Sequence, residues 1–143
     1  MAGASKTENF ECSVEEFYKL ITDYESYPTF LNEVKSCKIL EKNGDKWLVE
    51  YGVSVIKSFT YRLMMDHSKT NEVHWTFAGG DLFKESTGSW LLKDKDGKTE
   101  ATYTVDAKFG MFVPGPITKG LVAANLPNMM AAYKKRIQEV YGK

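Results

Sequence analysis

From Glu100 to Phe109 the chain alternates without a break: Ala101, Tyr103, Val105, Ala107 and Phe109 against Glu100, Thr102, Thr104, Asp106 and Lys108. Successive side chains on a strand point to opposite faces, so this segment makes a strand with one dry face and one wet face. Such a strand belongs to an antiparallel sheet, and its dry face requires a cover. The same period runs upstream. Trp47, Val49, Tyr51, Val53 and Val55 alternate with Leu48, Glu50, Gly52 and Ser54. Phe59, Tyr61, Leu63 and Met65 oppose Thr60, Arg62 and Asp66, and Val73, Trp75 and Phe77 oppose His74 and Thr76.

The turn residues agree. Asn43-Gly44 and Asp96-Gly97 tolerate the positive φ of tight hairpins, and Gly79-Gly80 and Gly88 punctuate the stretch between them. Six or so strands in a meander follow. Before them, Ser13-Val14-Glu15-Glu16 reads as a capping box, and Phe17, Leu20 and Ile21 follow at helical spacing. Pro28 ends or restarts that helix, so Tyr24 to Leu31 reads as a second short helix or turn. Phe10 to Cys12 reads as the weak end of a preceding strand.

The cover lies at the other end of the chain. Val122, Leu126, Met129, Met130, Tyr133, Ile137, Val140 and Tyr141 recur in steps of three and four, with Lys134, Lys135 and Gln138 opposite. Pro127 interrupts this pattern, which predicts a kink there or two helices meeting at Asn125. The proline is either a plain restart of a core-facing helix or a hinge in a lid.

Composition narrows the function. A chain of 143 residues fits one domain, residues 1–143, and at that length folding buries roughly 68–70% of the unfolded surface. With 43% hydrophobic and 27% charged residues it is not a disordered chain. Lys+Arg and Asp+Glu balance at 19 each, and Arg62 and Arg136 are the only arginines, which argues against nucleic acid as a partner. Cys12 and Cys37 read as reduced thiols. The N-terminus shows neither a signal peptide's apolar core nor the myristoylation pattern, and no stretch approaches the roughly 20 apolar residues of a membrane span. The expectation is a cytoplasmic protein, monomeric or weakly dimeric.

Three stretches carry a resemblance. Glu16-Phe17-Tyr18-Lys19-Leu20-Ile21 through Tyr27-Pro28-Thr29-Phe30-Leu31 is similar to the opening of the START-like polyketide cyclase/coenzyme Q-binding family, in the SRPBCC superfamily. Gly88-Ser89-Trp90 followed by Gly97-Lys98-Thr99 resembles its hairpin, and the ending, from Phe109 through Pro114 and Leu121 to the helix bearing Met130 and Arg136, is similar to its closing helix. The resemblance spans nearly the whole chain. It implies an α+β helix-grip fold: a curved antiparallel sheet of six to seven strands wrapped around a long C-terminal helix, with two short helices after the first strand. It also implies a cavity between sheet and helix for a lipid, quinone or polyketide.

Chemistry-bearing motifs are few. His67 and His74 read as surface histidines, neither cysteine has a partner at zinc-ligand spacing, and Asp94-x-Asp96-Gly97 reads as a hairpin turn rather than a calcium loop. No phosphate loop or nucleophile elbow occurs, so no catalytic residue, metal or cofactor is assigned. The dry face is more informative. Tyr51, Phe59, Tyr61, Trp75, Phe77, Trp90, Tyr103 and Val105 from strands, with Met129, Met130 and Tyr133 from the helix, are the candidate ligand-binding residues. They form either an ordinary aromatic core or an apolar pocket with a few convergent hydroxyls. Met64 and Met65 add an adaptable surface. Phe109, Met111, Phe112 and Val113 lie in a Gly/Pro-rich connection that either folds into the core or forms a cavity rim, with Leu82 and Phe83 beside it and a transient membrane contact there.

The reading this favours is a binding module for a hydrophobic small molecule, a quinone, isoprenoid or other lipid, held and transferred without a cofactor. A polyketide aromatase/cyclase is the enzyme alternative, weakened by the lack of a histidine or arginine on the dry face. A ribosome-association toxin-like interaction protein is the third, weakened by neutral net charge.

Overall fold

In the computed structural model, which describes residues 2–54, 58–81, 83–110 and 126–142, the strongest hairpin signal folds as its residues require. Asp96 and Gly97 both take positive φ, 56° and 85°, and turn β6 (Phe83–Lys95) back into β7 (Lys98–Phe109). Further strands are β1 (Ala2–Phe10), β2 (Val34–Asn43), β3 (Lys46–Ser54), β4 (Ser58–Asp66) and β5 (Glu72–Gly80). They form one curved antiparallel sheet in the order β1-β7-β6-β5-β4-β3-β2. Register shifts at Val34/Ser36, Ile39/Glu41, Arg62/Leu63 and Phe83/Glu85 bend the strands.

The helices sit where the sheet needs them. In α1 (Val14–Ile21) the Ser13 hydroxyl accepts from Glu16 N at 3.1 Å and the Glu16 carboxylate accepts from Ser13 N at 3.0 Å, closing the capping box. Its apolar side buries Val14, Phe17, Leu20 and Ile21. A 3-10 turn (Tyr24–Thr29) stands where the second short helix was expected, with Pro28 inside it. α2 (Leu126–Tyr141) buries Leu126, Met130, Tyr133 and Ile137. Phe17 joins the layers: its ring meets Phe10 at 4.4 Å, Trp90 at 5.4 Å and Tyr133 at 6.0 Å. The Tyr141 hydroxyl donates to Glu16 O at 3.0 Å, tying the end of α2 to α1. The helix-grip architecture expected from the sequence is therefore present.

Several expectations need correction. β1 runs through nine residues and ends at Phe10, short of Cys12. It pairs only with β7, so its small and polar side chains need not alternate. Val140 points to solvent, because α2 has only one buried stripe there. Pro127 stands at the N-terminal edge of the described part of α2, so the kink expected there turns on residues before it that lie outside the described ones. Val122 and Ala123, on which the expected kink also depends, lie outside the described residues, as does Val55. No described helix is long and apolar enough to cross a membrane.

Candidate functional site

The alternation of the strands directs their inner side chains into one space of about 150 Å³. β3 contributes Tyr51 and Val53, β4 Tyr61, Leu63 and Met65, and β5 Val73 and Trp75. β6 adds Phe83, Ser86 and Trp90, and β7 adds Tyr103, Val105 and Ala107. The helix closes the space with Leu126, Met129 and Tyr133, spaced by three and four so that they share a face. Ile21, Tyr24, Tyr27, Leu31, Glu33 and Val34 complete it from the α1 side. The walls are apolar; the polar groups are six phenols, the Ser86 hydroxyl and the Glu33 carboxylate.

The phenols differ in what they already hold. Tyr27 donates to Ile21 O, and its phenol also interacts with that of Tyr133. Tyr24 bonds His67 Nε2 at 2.7 Å. Tyr51 donates to Met65 Sδ at 3.6 Å, a weak acceptor. No hydrogen bond joins the Tyr61 or Tyr103 hydroxyl to another described residue. Burial pushes both of these phenols up, and the Glu33 carboxylate pushes in the same direction. Tyr133 is raised first by burial too, with the Tyr27 bond pulling back. At neutral pH these groups are therefore uncharged donors, suited to a carbonyl or hydroxyl oxygen and unsuited to act as bases. The Cys37 thiol, buried on β2, is pushed up to about 12, chiefly by burial, which makes it an inert core thiol.

His67 is not the surface histidine expected. It is half-buried, its ring centre 4.4 Å from that of Trp47 and tilted 50° to it, and it lies between Tyr24 and Asp45 O, the latter 2.9 Å from Nδ1. A carbonyl only accepts, so Nδ1 carries the proton in the neutral ring and Tyr24 donates to Nε2. Its hydrogen bonds fasten the 3-10 turn to the β2–β3 hairpin. His74 stays on the outer face, 2.7 Å from a Glu72 carboxylate oxygen.

Of the candidate ligand-binding residues, Tyr51, Tyr61, Trp75, Trp90, Tyr103, Val105, Met129 and Tyr133 line this cavity. Phe59, Phe77 and Met130 do not. Phe59 is buried at the start of β4, and Phe77 packs edge-on against Phe83, which reaches the cavity in its place. Met130 follows Met129 by about 100° around the helix, so with Met129 on the cavity it turns into the core, 2% exposed. Phe109 lies half-buried beside Phe83, ring centres 5.1 Å apart, outside the lining; Met111, Phe112, Val113 and Leu82 lie outside the described residues. Met65 lines the cavity, whereas Met64 sits on the outer face opposite Thr76.

The cavity also takes Tyr24, Tyr27, Glu33, Phe83 and Ser86, of which only Ser86 follows the alternation, in step with Gly88 and Trp90. The first three come from the turn and the connection after it, where no period applies. Phe83 and Ser86 have opposite parity, and only the register shift at Phe83/Glu85 lets both point inward.

The profile of the polyketide cyclase/dehydrase and lipid transport family matches residues 11–134. Among solved structures, a START superfamily protein from Mycobacterium smegmatis superposes with a TM-score of 0.85 at 22% identity, covering 96% of this chain and 98% of that one. The Zhui aromatase/cyclase from Streptomyces sp. R1128 gives 0.70 at 17% identity, covering 96% and 84%. A STAR-related lipid transfer protein fragment from Xanthomonas axonopodis gives 0.72 at 10% identity, covering 95% and 85%. These likenesses establish the fold. No curated protein matches the chain.

Proposed function

Because the chain belongs to the polyketide cyclase/dehydrase and lipid transport family, we propose that its cavity binds a hydrophobic small molecule carrying a carbonyl or hydroxyl oxygen, of the quinone or isoprenoid type. The observation that carries this reading is the cavity itself: an apolar space under α2 into which the Tyr61 and Tyr103 hydroxyls open. Binding draws its free energy from apolar burial, at roughly 25 cal/mol per Å2. The phenols orient the oxygen, each bond adding about 0.5–1.5 kcal/mol. A volume of about 150 Å³ lies below the usual 300–1,000 Å³ of drug-sized pockets, which favours a compact ring system or one end of a longer molecule.

The test is extraction of the purified protein with organic solvent and mass spectrometry of what is released. A carbonyl-bearing apolar compound at near-stoichiometric amount supports the reading. An empty extract, with no binding of added quinones by calorimetry, overturns it.

A cyclase-type enzyme is the second reading, and Glu33 favours it. A carboxylate sharing a cavity with neutral phenols pairs a proton acceptor with donors aimed at a carbonyl oxygen. Turnover of a poly-β-ketone probe that disappears in Glu33→Gln, with binding retained, would move the assignment from carrier to enzyme.

A further inference from the structure

We infer that Gly88 is a specificity-determining residue, which sets the depth of the cavity by allowing the Trp75 indole to lie flat as its floor. The inference rests on the ligand-binding reading above and deepens it. Gly88 on β6 and Trp75 on β5 are direct cross-strand partners, so both face the same side of the sheet. A β-carbon on Gly88 would come within 2.2 Å of Trp75 Cζ2 and 2.4 Å of Cε2. The six-membered ring of the indole thus occupies the place of a side chain at position 88. It lies across β6 and reaches Tyr103 on β7, ring centres 5.5 Å apart.

The need for glycine here is one of space, not of backbone conformation. Gly88 is absent from the glycines with positive φ, which are Gly44, Gly79, Gly80, Gly97 and Gly142 among the described residues. Any larger residue would push the indole off the strand, and the strands beneath leave it one direction to go: into the cavity, toward Met129 and Tyr133. A floor raised by even part of a ring width removes room that a ligand of about this size cannot spare. A smaller residue at 75 would do the reverse.

The experiment measures the affinities of acetophenone, 1-tetralone and 9-fluorenone, ketones of one, two and three rings, through the quenching of tryptophan emission, to which Trp90 on the cavity contributes in every variant. In Trp75→Leu the affinity for 9-fluorenone relative to acetophenone should rise about tenfold or more, and in Gly88→Ala it should fall by a similar factor. The double variant should match Trp75→Leu, since without the indole the added methyl has nothing to lift. A ratio unmoved in Trp75→Leu, or effects of the two substitutions that simply add, would overturn the assignment. The added carbon also meets Thr104 O at 2.6 Å, so Gly88→Ala is checked for a native melting transition. If it does not fold, a double variant that regains the native transition shows that the indole is what the methyl displaces, and the ratio in Trp75→Leu and the milder Trp75→Phe then decides the depth; a double variant that also fails to fold puts the clash at Thr104 O and overturns the assignment. Binding of the ketones with a fixed ratio refutes only the depth assignment; failure of all three to bind the parent protein refutes the ligand-binding reading with it.

Discussion

Two tyrosines on the same face of the sheet, Tyr51 on β3 and Tyr103 on β7, differ in what their hydroxyls hold. Tyr51 already gives its proton to Met65 Sδ, whereas the Tyr103 hydroxyl opens on the cavity with its proton kept by burial and by the Glu33 charge. Tyr103→Phe should therefore weaken binding of a ketone or quinone by about 0.5–1.5 kcal/mol in a calorimetric titration while the melting temperature stays put. Equal affinity for the two proteins would take Tyr103 out of the site. A second residue-scale effect belongs to His67. Desolvation holds its pKa below the ordinary 6.5, so near and below that value the unfolded chain binds the extra proton more readily than the folded one. The stabilising contribution is fully present above pH 6.5 and is lost as pH falls through the depressed folded pKa. Protonation also turns Nε2 into a donor and breaks the present Tyr24 arrangement. Urea unfolding at pH 7.5 and pH 5 should show a larger loss for the parent protein than for His67→Gln; identical losses would mean that His67 is not the group responsible.

At the scale of elements, α2 divides its methionines. Met130 is core and Met129 is cavity wall. Met130→Ala should cost about 2–5 kcal/mol of stability, the usual range for truncating a buried methionine. Met129→Ala should leave stability nearly unchanged and weaken ligand binding instead, and chemical denaturation beside a ligand titration separates the two. This distinction was not legible in the sequence, because both residues fit a helical stripe and only the crossing of α2 over the sheet decides between them. The strands were more legible. Tyr61, Trp75, Trp90 and Tyr103 fall on the cavity because strand alternation is strict and one face is buried. Parity fails where the ladder slips: the Phe83/Glu85 shift brings Phe83 inward against the parity of Ser86 and Trp90, and no local residue pattern announces such a slip. Tyr24, Tyr27 and Glu33 sit in turns, whose side-chain directions depend on tertiary contacts such as the Tyr24–His67 bond.

For the whole molecule, the cavity is an interior left unfilled, and it bears on stability. Protein interiors normally close to crystal-like density, and truncation cavities cost about 24 cal/mol per Å3. A space of about 150 Å³ kept open between sheet and helix is therefore a place where the empty protein has forgone packing that a ligand can supply. Among the described residues, the layers around it are joined by the Phe17 ring cluster, by Tyr133 against Trp90 and Phe30, by the Tyr141–Glu16 hydrogen bond, and by the ion pair of Lys134 with Glu8 at 2.9 Å. That exposed pair is worth at most about 1 kcal/mol, so ring packing carries the junction. A ligand that binds only the folded state at a hundred times its dissociation constant stabilises it by about 2.7 kcal/mol. For a chain of this length, each kcal/mol corresponds to roughly 2–4 °C in melting temperature. Saturation with the native ligand should accordingly raise the midpoint by roughly 5–11 °C, with the increment growing as the logarithm of ligand concentration. Calorimetric melting across a hundredfold range of ligand checks this. A midpoint that does not move with concentration would show that the compound binds folded and unfolded chains alike, or sits outside the cavity.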